Sequence, residues 1–163
     1  MNEYTFKLLQ WLKMRVYLYA AKTLHFTRVY NLKKICDLYT LLLYMEGVQR
    51  CKGHRPDKPA LIIGKQLKSL LASEASAWVK VCIFTNLYLC GCEPGIDKIA
   101  DILDKAVRDG DFEVVWCVLH TLDELMTGGN EAFIKAMTRK VYSSLIPAQH
   151  EYVREHFFPD NKR

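Results

Sequence analysis

The chain has 163 residues, 50% of them hydrophobic and 25% charged, with a formal net charge of +5; this is the composition of a folded globule and excludes a disordered tail. A chain of this length buries roughly 70% of the surface its unfolded form exposes, so it needs neither disulfides nor a metal merely to hold a core. The charge is uneven: residues 1–58 carry 11 Lys/Arg against 4 Asp/Glu, a net of +7, while residues 59–163 carry 12 against 14. A basic N-terminal segment beside a near-neutral remainder points to one face that favours anions, whether RNA or other nucleic acid, lipid headgroups or an acidic protein surface.

In chain order, Leu8, Leu9, Leu12, Val16 and Tyr19 follow helical spacing and predict a helix over about 4–22. The pattern breaks at His25 to Arg28, then resumes on Leu32, Ile35, Cys36, Tyr39, Leu42 and Leu43, predicting a second helix over 29–45. Residues 47–59 hold two glycines and two prolines, which forbid a continuous helix and mark a boundary between a basic N-terminal hairpin and the rest of a single domain spanning 1–163. A third helix is expected over 61–71, with Ser73 as the cap of a fourth over 74–90. Gly91-Cys92-Glu93-Pro94-Gly95 stops the fourth, and Ile99, Ile102, Leu103 and Val107 carry a fifth over 96–108. Asp111 and Asn130 are placed to cap helices over 112–126 and 131–145, and Pro147 to open a last one ending near Phe157.

The expected fold is therefore all-α, with about eight helices: a basic N-terminal pair and three helical hairpins recurring at about 35 residues, within the range of helical-repeat proteins. Asp109-Gly110-Asp111-Phe112-Glu113-Val114-Val115 faintly resembles the inter-helix turn of HEAT-type repeats, which implies a short HEAT-like solenoid. The three pairs share no repeated consensus, and a compact orthogonal bundle requires the same amphipathic helices.

Six cysteines stand at 36, 51, 82, 90, 92 and 117. Cys36, Cys82 and Cys117 lie in apolar helical stretches, where a thiol behaves as a small hydrophobe. Lys7, Lys13 and Arg15 interrupt any secretory signal, so a reducing compartment, cytoplasmic or nuclear, is expected. The longest apolar run, Leu38 to Met45, falls well short of the ~20 residues of a transmembrane segment.

Three constellations bear chemistry. Cys51-x-x-His54 and Cys90-x-Cys92 together offer three thiolates and an imidazole, an accepted tetrahedral zinc set. The spacing departs from the standard zinc motifs, and C-x-C is less usual than C-x-x-C, so the expectation is no cofactor and no stoichiometric zinc on elemental analysis. Glu113, Cys117, His120 and Glu124 share one helix face, and a Cys–His pair can make a nucleophile. No third orienting group can be named for it, and the phosphate-loop, dinucleotide, metalloprotease and serine-hydrolase motifs are all absent, so the chain is read as not an enzyme. Finally, Trp11, Tyr17, Tyr19, Phe26, Tyr30, Tyr39 and Tyr44 interleave with lysines and arginines in the first 44 residues. That mixture suits unpaired bases and phosphates, or an anionic membrane, although most of these rings are expected to pack.

Two Leu-x-x-Leu-Leu strings, at 38–42 and 67–71, are explained by core packing. The functional expectation is a non-catalytic adaptor, a small regulatory or viral accessory factor that presents a helical surface to a protein partner and self-associates. The alternative is an RNA-binding protein whose phosphate contacts are Lys33, Lys34, Arg50, Lys52 and Arg55. A cysteine-dependent enzyme resting on Cys117 and His120 stands third.

Overall fold

The computed structural model describes residues 2–46, 58–93 and 95–159. Among these the chain is all-α: helices α1 (Glu3–Thr23), α2 (Arg28–Met45), α3 (Lys58–Leu71), α4 (Ala77–Leu89), α5 (Ile96–Asp109), α6 (Phe112–Leu125), α7 (Glu131–Val141) and α8 (Pro147–Phe157). Short 3-10 turns, His25–Thr27 and Tyr142–Ser144, precede α2 and follow α7.

Local chemistry sets several of the ends. Asn2 opens α1 by accepting the Thr5 amide at 2.8 Å, and Asp111 opens α6 by accepting the Val114 amide at 3.1 Å. Gly91, at φ 67°, ends α4 in the left-handed region, and the Cys92 amide reaches back to the Leu87 carbonyl at 2.8 Å. Gly110, at φ 69°, does the same after α5.

Two expected caps act differently. Ser73 donates its hydroxyl to the Leu70 carbonyl instead of opening α4, and the helix begins at Ala77, three residues after the expected Glu74. The residues between are held by Glu74, which accepts the Ser76 amide at 2.8 Å and pairs with the Arg28 guanidinium. Asn130 makes no side-chain bond into α7; it accepts the Thr127 amide at 2.7 Å and donates to the Leu125 carbonyl at 2.9 Å and the Tyr88 hydroxyl at 2.7 Å. It clamps the turn from inside.

The helices pack on near neighbours in the chain. α1 meets α2, α3 meets α4, α5 meets α6 and α7 meets α8. The helix two along is the other usual partner, as in α1 on α3, α2 on α4, α4 on α6, α5 on α7 and α6 on α8. One continuous set of buried apolar side chains runs from Met14 to Phe157. α4 lies at its centre, touching α2, α3, α5 and α6, and its Val79, Val81, Ile83, Phe84, Leu87 and Leu89 are buried around the whole circumference. Asn86, also buried there, donates to the Cys82 carbonyl within α4 at 2.8 Å and to the Leu32 carbonyl of α2 at 3.1 Å. Gly64 lets α3 lie close to the α4–α5 turn: a Cβ at that position would stand 2.5 Å from the Cys92 sulfur. Among the described residues no helix is long and apolar enough to cross a membrane.

Candidate interaction surface

α1 is apolar on two sides, and only one of them can face the core. Met14, Leu18 and Ala21 are buried together with Gln10, and Trp11 sides with them through an edge-on contact to Tyr39 at 5.6 Å between ring centres. That row takes the inside, where α1 packs on α2 and α3. The row that marks the helix in the sequence is turned to solvent: Leu8 and Leu12 are about half exposed, Val16 is 67% and Tyr19 70% exposed. Leu9 is exposed beside them. Among the described residues α1 therefore presents an exposed apolar stripe along its outer side. Scattered surface leucines are ordinary, whereas a contiguous stripe on a helix marks a contact surface.

Cations border this stripe. Lys13 and Arg15 are exposed and Lys22 is half-buried, and among the described residues no carboxylate forms an ion pair with any of the three. Lys7, by contrast, is held by Glu3 at 2.9 Å and Glu46 at 3.3 Å.

The aromatics of the basic segment divide. Tyr39 is buried, Trp11 and Tyr17 pack against the core, and Tyr19, Phe26, Tyr30 and Tyr44 are exposed. Of the candidate phosphate contacts, Lys33 is exposed on α2, while Lys34 lies 3.7 Å from Asp37 with its ammonium 5.5 Å from the centre of the Tyr30 ring. Arg50, Lys52 and Arg55 lie outside the described residues. Arg28, a cation of the same segment, faces inward, where it donates to the Ala21 carbonyl at 3.0 Å and to Glu74.

Two members of the candidate zinc set, Cys51 and His54, also lie outside the described residues. Cys90 is part of the core, and the half-buried Cys92 thiol points toward the carbonyls of Cys90 and Ala60 at 3.7 and 3.9 Å. Burial pushes the Cys92 thiol up against the opposing charge of Lys68. No group of three His, Cys, Asp or Glu side chains is arranged around a metal position among the described residues.

On α6, Cys117 is half-buried and its thiol is raised by burial, which is the wrong direction for a nucleophile. His120 is committed to rings: it stacks on Trp116 at 5.5 Å and meets Tyr152 of α8 edge-on at 4.5 Å. Tyr152 in turn donates to Asp123 at 2.9 Å, and His156 Nδ1 lies 2.9 Å from the same carboxylate oxygen. This ring cluster, invisible in the spacing of α6 alone, joins α6 to α8. The signal for the α1 stripe was present in the sequence as apolar residues on both sides of one helix. Comparison with known protein families, curated proteins and solved structures finds no match to this chain.

Proposed function

We propose that the protein is a non-catalytic interaction module that binds a protein partner on the outer side of α1. The supporting observation is the row Leu8, Leu12, Val16 and Tyr19, left open on a helix whose other apolar row already fills the core. Hydrophobic area of this kind on a rigid helix provides binding energy without chemistry at the site. The raised thiols of Cys82, Cys92 and Cys117 agree with a reading in which these three are not nucleophiles.

The test places a photo-cross-linking residue at Leu12 and, as a control, at Arg108 on α5, in cells expressing the protein. The expected result is a discrete protein adduct from position 12 alone, lost when Val16→Asp is added. Adducts from both positions, or adducts that survive Val16→Asp, count against the proposal.

A second reading, RNA binding through the basic segment, draws on the exposed Tyr19, Phe26, Tyr30 and Tyr44 beside Lys33. It predicts binding to single-stranded RNA that weakens steeply with salt and falls when Lys33, Lys34, Arg50, Lys52 and Arg55 are neutralised. Absence of binding at low salt removes this reading.

A further inference from the structure

The outer side of α1 has a register as well as an exposure. Thr5, Leu9, Leu12, Val16, Tyr19 and Thr23 follow one another at steps of four, three, four, three and four residues, and all six are exposed. That is the heptad spacing of a coiled-coil seam, with Leu9 and Val16 at a positions and Leu12 and Tyr19 at d positions. Val16 at a beside Leu12 at d is the β-branched and leucine combination that favours two strands, whereas Leu9 at a and Tyr19 at d do not follow it. From Thr5 to Thr23 the seam runs about 27 Å at 1.5 Å per residue, long enough for a partner helix to engage it over several turns.

The residues on either side of the seam select the partner. In the heptad frame Lys13 falls at e, and Arg15 and Lys22 at g. None of the three has a carboxylate partner among the described residues. In an antiparallel second copy Lys13 would face Lys13 and Arg15 would face Arg15, a repulsive pairing. In a parallel copy Leu8 would face Lys13 and Arg15 would face Ala20, so no cation of the seam meets a carboxylate in either orientation. A helix with carboxylates at its own e and g positions would meet them with opposite charge. We infer that the α1 seam binds an amphipathic helix of another protein, flanked by aspartate or glutamate, in a two-stranded coiled-coil arrangement. This inference rests on the interaction reading above and names the chemistry of its partner.

The experiment uses the full chain and two synthetic peptides of about 21 residues, three heptads long. Both carry leucine at a and d; one carries glutamate at e and g, the other lysine. Binding is followed by fluorescence anisotropy, and self-association by sedimentation of the protein alone. The glutamate peptide is expected to bind roughly tenfold or more tightly than the lysine peptide, a ratio that falls as salt rises. The triple variant K13E/R15E/K22E leaves the seam residues in place and is expected to reverse the preference. Val16→Asp is expected to abolish binding of both peptides with the helical circular dichroism unchanged, because Val16 faces solvent.

Equal binding of the two peptides by the native chain and the triple variant would sink the acidic-partner inference while leaving an apolar docking face in place. Binding of neither peptide, together with a dimer that Val16→Asp dissociates, would replace the partner with a second copy. Binding of phosphatidylserine-containing vesicles in place of either peptide would assign the stripe to a membrane surface and overturn both readings.

Discussion

Asn130, in the turn before α7, donates a hydrogen bond to the hydroxyl of Tyr88 in α4 across 42 residues of chain. The same amide donates to the Leu125 carbonyl at the end of α6, and its oxygen accepts the Thr127 amide. One buried side chain thus closes its own turn and fixes that turn against the central helix. Asn130→Ala is expected to cost about 2–3 kcal/mol, because it leaves buried polar groups unpaired. Tyr88→Phe removes a single hydroxyl and should cost about 1 kcal/mol. Urea denaturation of the two variants measures this, and equal effects would contradict the assignment of Asn130 as the hub.

The Arg28–Glu74 pair makes stability depend on pH. Burial raises the Glu74 carboxyl, but hydrogen bonds from the Ser76 amide and Arg28, with the guanidinium's charge, outweigh it and hold the group below its ordinary value. A carboxyl lowered in the folded state contributes stability that is complete above its unfolded value of about 4.3 and is lost as pH falls through the lower folded value. Both side chains are about nine-tenths buried, so Glu74→Gln should cost about 1–3 kcal/mol at neutral pH. The gap between native and variant stabilities should narrow below about pH 4, which thermal melts across pH 3–7 would reveal. A gap independent of pH would rule out a charge-based contribution.

Gly64 and Cys92 are coupled by space. A Cβ at 64 would fall 2.5 Å from the Cys92 sulfur and 3.2 Å from its Cβ. Gly64→Ala gains about 1 kcal/mol of helix propensity, which partly hides the clash, so the informative quantity is the double-mutant cycle. Alanine at 64 should be better tolerated by about 1 kcal/mol in a Cys92→Ala background, which lacks the sulfur. Strict additivity would show that α3 shifts to relieve the contact.

The cysteines give a chemical prediction. Burial, with the neighbouring Cys117 thiol adding to it and Lys33 opposing, pushes Cys82 up to about 12, and burial raises Cys36 well above the ordinary range. Alkylation of Cys82 in the native protein, read by site-resolved mass spectrometry, should be at least about tenfold slower than in denaturant at neutral pH. Its rate should still be climbing at pH 9–10, where an ordinary thiol of about 8.5 has begun to level. A plateau near that ordinary value would mean that the thiol is solvated.

What was legible in the sequence was whatever local chemistry decides. Gly91, the Asp109-Gly110-Asp111 turn and Pro147 mark helix ends because a left-handed turn, a carboxylate cap and a missing amide act within a few residues. The start of α4 was misplaced because Glu74, a good first-turn residue, is taken by Arg28 from 46 positions away. Asn130 misled for the same reason, since Tyr88 and Leu125 claim its amide. On α1 the periodicity located the helix, but two apolar rows satisfied it equally, and which one faces inward depends on α2 and α3 rather than on α1. Charge was easy to count, yet Arg28 turned inward to meet Glu74. In both cases the missing information was the identity of a distant neighbour.

Packing between near neighbours in the chain also sets the order in which the molecule opens. A helix at an end of such an arrangement can detach while most of the others keep their contacts, whereas α4 cannot move without disturbing four. Amide hydrogens should therefore exchange fastest in α1 and α8 and slowest in α4. A helix seated on the outer side of α1 would make that end an interior position, so its arrival should be felt as slower exchange along α1, fading by α8.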